Sequence, residues 1–168
     1  MKFAVALLLA FSLCASAQIP VGRRAPGFSL MDVLTLKQHD IQDYRGKVVL
    51  IDIMRTDCPH CQDLTRTLEQ VKAKYGDKIQ ILSVVNPPDD QTKVRKYVSD
   101  FKLSNPVLFD CGQMAVSYLQ VGPKNPSVSV PHLFVVDKGG IIRQDLSEKT
   151  GGGLTLANIT AAIDPYVK

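Results

Sequence analysis

The segment MRTDCPHCQDL contains two cysteines, Cys58 and Cys61, with a proline and a histidine between them. Such a pair can be a redox dithiol, can supply two ligands to a metal ion, or can simply lie in a helix. An apolar, β-branched run precedes the segment and an amphipathic run follows it, which predicts a strand, a turn and a helix. Cys58 would then lie at the start of the helix, with Cys61 one turn later on the same side, within reach of a disulfide.

The start of a helix favours a reactive thiol. Its partial positive charge stabilises a thiolate on Cys58, and Pro59 is tolerated in the first turn because its missing N–H would have had no partner there. His60, if protonated, would stabilise the thiolate further. We therefore predict that Cys58 is the attacking thiol, that Cys61 resolves the intermediate, and that His60 tunes the acidity of the pair.

An aspartate lies inside the predicted strand, six residues before the first cysteine. This residue, Asp52, is costly in an apolar strand unless it is paired or used, and burial should raise its pKa. We expect it to tune the dithiol by accepting the proton of Cys61 during exchange. The alternative is a surface aspartate on a strand with one exposed face.

Alternating strands and helices surround the motif. Strands are predicted at 47–53, 79–85, 106–110, 132–137 and 141–146, and helices from the motif to about 75 and at about 90–101, 113–119 and 155–166. Strands separated by helices of this length imply βαβ crossovers. We therefore predict an α/β fold with a central mixed β-sheet flanked by helices. The less regular stretch at about 28–44 should add short N-terminal edge strands.

The first seventeen residues have the pattern of a secretory signal peptide. Lys2 provides a positive start, an apolar run covers 3–13, and Ala15-Ser16-Ala17 has the form of a cleavage site. The apolar run is too short for a membrane span; an uncleaved signal anchor is the alternative. We predict cleavage after Ala17, one domain over 18–168, a periplasmic or secreted product, and no stable membrane insertion.

Charge and cysteine content exclude other classes of protein. A formal net charge of +4 is too mild to indicate nucleic-acid binding. Cleavage would remove Cys14 and leave Cys58, Cys61 and Cys111, which permit at most one internal disulfide. The chain is therefore not a disulfide-stapled scaffold. A close pair outside the reducing cytosol is free to cycle between dithiol and disulfide.

Several further stretches follow one another in a familiar order. They are Ala25-Pro26 with Phe28 and Leu30, the strand entry YRGKVVL at 44–50, Asp52, the CPHC motif, and Val130-Pro131 before HLFVVDKGG. Together they resemble the TlpA/ResA-like branch of the thioredoxin superfamily, within the redoxin group related to AhpC/TSA proteins. The resemblance implies a thioredoxin-like fold with an αβ insertion at about 88–120. It also implies a protein-disulfide oxidoreductase that needs no organic cofactor and no metal.

The same resemblance implies how substrates bind. Pro131 would follow a cis peptide bond and hold a substrate strand beside Cys58, with the backbone of Val130 available for pairing. The implied partners are protein thiols and disulfides, together with a membrane or soluble redox partner that resets the dithiol. Nucleic acid is not among them.

The chain also departs from the family pattern. Asp57 occupies the position before the first cysteine, where a tryptophan is usual, and Leu64 occupies a position where this branch often has glutamate. Pro-His between the cysteines, with Val130 before the proline, resembles the periplasmic oxidase DsbA. We predict from this a pair somewhat more oxidising than that of thioredoxin, while the direction of electron flow stays open.

Two alternative functions remain. A thiol peroxidase of the peroxiredoxin type shares the fold, but it would need proline at position 51 and threonine or serine at position 55, where this chain has Ile51 and Arg55. A copper- or other metal-handling protein would have to recruit His60, His132 or Cys111, because the chain has no second C-x-x-C. We expect His132 to be an ordinary strand residue and Cys111 to be a small buried thiol.

Overall fold

The computed structural model of the protein describes residues 21–127, 129–150 and 152–168. The predicted signal peptide, its cleavage site after Ala17 and Cys14 lie outside these residues. Within the described ranges, no helix combines the length and the apolar character that a membrane crossing requires.

Seven strands and four α-helices alternate along the described chain. The strands are β1 (Ser29–Asp32), β2 (Gln38–Asp40), β3 (Val48–Met54), β4 (Ile79–Val85), β5 (Val107–Phe109), β6 (His132–Val136) and β7 (Ile142–Ser147). The α-helices are α1 (Pro59–Tyr75), α2 (Gln91–Phe101), α3 (Gln113–Ser117) and α4 (Leu156–Ile163). Single 3₁₀ turns follow β2 at Ile41–Tyr44 and α1 at Gly76–Lys78.

The strands form one open mixed sheet in the order β2-β1-β5-β4-β3-β6-β7. β3, β4 and β5 are parallel, and the remaining neighbours are antiparallel. β1 and β2 lie at one edge, as the sequence predicted for the N-terminal stretch. The predicted αβ insertion at about 88–120 contributes α2, β5 and α3, and β5 joins the sheet between β4 and β1. The predicted fold class, a mixed sheet flanked by helices, is confirmed.

The central strand β3 is buried along its whole length because helices or loops cover both faces of the sheet. Val49, Ile51 and Ile53 pack with the N-terminal segment and α3. Val48 and Leu50 pack with α1 and α4 on the opposite face. Side chains alternate along a strand, so Asp52 points to the same face as Val48 and Leu50, which is the face that α1 covers.

Most predicted boundaries agree with the structure to within two residues, and the main exception is the last helix. It was predicted to continue to about residue 166, but α4 ends at Ile163. The next residues are Asp164 and Pro165, and a proline has no N–H with which to continue the helix. The chain instead closes in a turn in which the N–H of Tyr166 donates to the carbonyl of Ile163.

Candidate active site

Cys58 caps the N-terminus of α1, as the sequence predicted. β3 ends at Met54, a short turn follows, and Cys58 has an extended backbone while Pro59 begins the helix. The N–H of Cys61 donates to the Cys58 sulfur at 3.4 Å. Both cysteines carry free thiols. The outer sulfur therefore accepts from a helix N–H that has no partner within the helix, and it lies at the positive end of the helix dipole; both favour negative charge on the sulfur.

The backbone before Pro131 lies beside the outer sulfur. The Val130–Pro131 peptide bond is cis, as the resemblance implied. The thiol of Cys58 donates to the carbonyl oxygen of Val130 at 3.7 Å, and β6 begins only at His132. The structure thus brings Val130 next to Cys58, across 72 residues of chain.

A buried aspartate that sequence analysis missed holds the turn before Cys58. Asp89, in the loop after β4, is nearly fully buried, and its carboxylate accepts hydrogen bonds from the backbone N–H and the hydroxyl of Thr56, each at 2.7 Å. The side-chain amide of Gln62 donates to the Thr56 carbonyl at 3.0 Å. The turn is therefore held from both sides. The sequence signal was slight, an acidic pair after a strand, of which Asp90 caps α2 instead.

The second cysteine is completely buried. Cys61 packs with Met54 of β3 and Tyr97 of α2, and Phe101 and Leu103 close the same apolar cluster. Burial raises the pKa of the Cys61 thiol, and the neighbouring Cys58 side chain adds to that effect. Cys61 therefore needs a proton acceptor before it can act as a thiolate.

Asp52 has the character of such an acceptor. It is fully buried on β3, and burial raises the pKa of its carboxyl to about 7, although a hydrogen bond from the Ser83 hydroxyl at 3.3 Å acts in the opposite direction. Its second oxygen, Oδ1, has no hydrogen-bond partner among the described residues. The alternative of an exposed aspartate is thus excluded, and the carboxyl changes protonation state near neutral pH.

The charged residues around the motif lie at the surface. The His60 side chain is 66% exposed, and its Nδ1 lies 3.9 Å from a carboxylate oxygen of Glu148. Asp57 pairs with Arg55 at 2.7 Å. We call these four residues the charged rim. The position that usually carries an apolar tryptophan is therefore occupied by one member of an exposed ion pair.

The structure also locates two further candidates, His132 and Cys111. Nδ1 of His132 pairs with Asp145 on the neighbouring strand at 2.9 Å, so His132 is an ordinary strand residue, as expected. Cys111 is exposed, and the prediction of a buried thiol is wrong. The buried carboxylate of Asp110 accepts hydrogen bonds from three backbone N–H groups of the following turn, and Cys111 lies on the outside of that turn.

Among the described residues, no cluster of three or more His, Cys, Asp or Glu is arranged to hold a metal ion.

Comparison with known proteins supports the resemblance found in the sequence. Residues 21–145 match the model of the AhpC/TSA family, and the chain therefore belongs to that family. It is 27% identical over 134 residues to the thiol-disulfide oxidoreductase ResA of Bacillus thuringiensis, covering 79% of this chain and 73% of the relative. It is 29% identical over 126 residues to ResA of Geobacillus kaustophilus, covering 75% and 68%.

Solved structures show the same fold. The thioredoxin domain of a thiol-disulfide oxidoreductase from Bacteroides vulgatus superposes with a TM-score of 0.73 at 19% identity, covering 90% of this chain and 100% of that one. The thioredoxin-like fold is confirmed by this likeness. The prediction of an enzyme in the thiol–disulfide oxidoreductase class is confirmed by the named relatives.

Proposed function

We propose that this protein exchanges electrons with protein thiols and disulfides through the Cys58–Cys61 dithiol, with Cys58 attacking and Cys61 resolving. The observation that carries the proposal is the unequal access of the two sulfurs on one helical turn. Cys58 is partly exposed at the helix start, whereas Cys61 is fully buried behind it. A client sulfur can reach only the outer position, and only the inner thiol is placed to displace it.

The first step joins the client to the protein. The Cys58 thiolate attacks one sulfur of a client disulfide, a new S–S bond forms, and the second client sulfur leaves as a thiolate. The N–H of Cys61 that donates to the Cys58 sulfur stabilises the thiolate form. The backbone of Val130 is the proposed pairing site for the client strand, and Pro131 holds it beside the sulfur. The carbonyl contact between Val130 and Cys58 supports this role.

The second step releases the client. Cys61 gives its proton to Asp52, its thiolate attacks the sulfur of Cys58, and the first client sulfur leaves as a thiolate. The client disulfide has then gained two electrons, and the Cys58–Cys61 pair is a disulfide. The reverse sequence oxidises a client dithiol. A carboxyl with a pKa of about 7 suits this proton transfer, since it is ready to accept and to release a proton near neutral pH.

The proposed setting lies outside the reducing cytosol. The signal-peptide pattern of residues 1–17 supports export, and a dithiol that cycles there requires a membrane or soluble partner to reset it. No organic cofactor or metal enters the proposed reaction. Direction of electron flow is then decided by the reduction potential of the pair relative to its partners.

The reduction potential of the pair tests the proposal. The Cys111→Ser variant, which lacks the exposed third thiol, is equilibrated in a glutathione series and alkylated, and its mass is measured by mass spectrometry. We expect one two-electron transition between the dithiol and the Cys58–Cys61 disulfide. A potential of about −120 mV would indicate a disulfide donor, and a potential of about −270 mV would indicate a reductant like thioredoxin. A pair that never forms the disulfide overturns the proposal.

Single cysteine variants test the two roles. With a synthetic peptide that contains one disulfide, Cys61→Ser should accumulate a mixed disulfide on Cys58, because the resolving thiol is missing. Cys58→Ser should accumulate none, because Cys61 is buried. Trapping on Cys61 instead would reverse the assignment. Sustained turnover of hydrogen peroxide with a thiol reductant would favour the peroxidase alternative.

A further inference from the structure

A row of three buried polar side chains connects Asp52 to the inserted part of the chain. Asn105, in the loop between α2 and β5, donates from its side-chain amide to the hydroxyl oxygen of Ser83 at 3.3 Å. Ser83, on β4 and in register with Asp52, donates in turn to Oδ2 of Asp52 at 3.3 Å. All three side chains are buried. The row brings together the central strand, its parallel neighbour and the insertion.

The row has a direction. The side-chain NH₂ of Asn105 is a donor only, so the Ser83 oxygen must accept from it. A hydroxyl carries one proton, and with its oxygen accepting from Asn105, that proton goes to the carboxylate. Without Asn105, the Ser83 hydroxyl would be free to rotate away. Asn105 therefore orients a hydrogen bond that it does not itself make with Asp52.

The row also leaves the two oxygens of Asp52 unequal. Oδ2 accepts from Ser83, whereas Oδ1 has no partner among the residues that the structure describes. Two titratable groups face this carboxylate from the helices above it, namely Cys61 on α1 and Tyr97 on α2. The charge of Asp52 contributes to the raised pKa of both groups, after the larger effect of burial. The hydroxyl of Tyr97 is already bonded to Thr65 at 2.7 Å, so Cys61 is the group that remains to react.

We propose that Asn105 is a positioning residue for proton transfer: through Ser83 it holds Oδ2 of Asp52 and leaves Oδ1 to take the proton of Cys61. The S–H bond of Cys61 breaks, the proton moves to Oδ1, and the electron pair stays on sulfur as the attacking thiolate. This inference rests on the proposed function, since it concerns the resolving step of the same dithiol. It gives the insertion a part in the chemistry through its loop residue.

Titration of Asp52 in a set of variants tests the coupling directly. The carboxyl is followed by ¹³C NMR of protein labelled at aspartate, in the reduced wild type, Ser83→Ala, Asn105→Ala and the double variant. Loss of a hydrogen bond to the charged form raises a carboxyl pKa. We expect Ser83→Ala to raise the Asp52 pKa by about one unit, a tenfold change in its proton affinity, and Asn105→Ala to raise it by a smaller amount.

The double variant is decisive. If Asn105 acts through Ser83, then Asn105→Ala produces no further shift in the Ser83→Ala background. Equal shifts in both backgrounds would mean that Asn105 affects Asp52 only through burial, and the inference would be wrong. Ser83→Thr, which keeps the hydroxyl, should keep the wild-type titration. Asn125→Ala is a matched control, because the Asn125 amide bonds to the Leu119 carbonyl away from the site.

The rate of the resolving step supplies a second readout. A small peptide is joined to Cys58 as a mixed disulfide in a stopped-flow instrument. Its release by Cys61 is then followed from pH 5 to 9. A higher Asp52 pKa leaves less carboxylate at pH 6, so Ser83→Ala should be slower there by up to about tenfold and nearly normal at pH 9. A uniform loss at every pH would point to a merely structural role and overturn the inference.

If Asn105→Ala does not fold, Asn105→Ser is used in its place in the same double-variant comparison. Serine keeps a hydrogen-bond donor, but its side chain is too short to reach the Ser83 hydroxyl. A wild-type protein that never forms the Cys58–Cys61 disulfide would end the proposed function, while the Asp52 titrations would still decide whether Asn105 acts through Ser83.

Discussion

The two cysteines of one motif lie in contrasting surroundings. Cys58 sits under the charged rim of Arg55, Asp57, His60 and Glu148, where paired ions meet solvent. Cys61, one turn further, sits among apolar side chains with a single buried carboxylate below. Exposed ion pairs contribute about 0–1 kcal/mol each, whereas an incompletely paired buried charge costs several times more. From this contrast we expect the buried groups to control the proton transfers of the dithiol and the rim to contact the partner proteins.

The largest expected effect is on stability, from the inner region. The folded-state pKa of Asp52, about 7, lies above its ordinary value of 3.8, so the folded protein binds the extra proton between these values. Stability is therefore lost as pH rises from about 4 to about 7, by up to about 4 kcal/mol. Asp52→Asn should remove this loss. Urea unfolding of both proteins at pH 4.5 and pH 8 measures it.

The rim provides the matched control for that measurement. Asp57→Asn changes an exposed carboxylate next to the same motif, and we expect its stability difference from the wild type to stay within about 0.5 kcal/mol at both pH values. Equal pH dependence in wild type and Asp52→Asn would contradict the contrast between inner and outer carboxylates.

A smaller effect is expected on the resolving step. Removing a positioned general base costs about a hundredfold or more in rate, and Asp52→Asn should slow attack of Cys61 on the mixed disulfide by about that factor at pH 7. The formation of the mixed disulfide at Cys58 should change far less. Stopped-flow measurement of the two steps separates them, and an equal loss in both would mean that Asp52 does not act on Cys61 alone.

The turn before Cys58 offers a third test, because a buried acid organises the outer region as well. Asp89→Ala leaves the N–H and hydroxyl of Thr56 without their acceptor, and we expect a loss of about 2–3 kcal/mol in unfolding free energy. Asp90→Ala, which removes only the cap of α2, should cost about 1 kcal/mol. A smaller loss for Asp89→Ala than for Asp90→Ala would mean that the turn is held by other contacts.

The smallest expected effect concerns His60. Its ring is mostly exposed and faces Glu148 at 3.9 Å, so solvent screens its charge. We expect His60→Ala to make the pair more reducing by no more than about 30 mV in the glutathione series. An unchanged potential would remove the support for the prediction, made from the Pro-His pair, of a dithiol more oxidising than thioredoxin's.

Local pattern was sufficient for elements around the dithiol, α1 and β4 among them. β4 has the predicted bounds, 79–85, and α1 ends at Tyr75, because unbroken apolar runs and helical spacing report burial directly. The position of Cys58 at a helix start followed from the same pattern. Cys111 was predicted wrongly, since its exposure depends on how Asp110 turns the chain and not on the hydrophobicity of a lone thiol.

Local sequence pattern alone predicts the alternation of strands and helices, the dithiol at a helix start, and a carboxylate inside an apolar strand. These follow from periodicity and from the chemistry of neighbouring residues. Contacts between distant segments bring Val130 to Cys58 and Asp89 to Thr56, and they link Asn105 to Asp52 through Ser83. Those contacts join residues 22 to 72 positions apart in the chain. The pairing of distant segments is set by packing of the whole core, which no local pattern records.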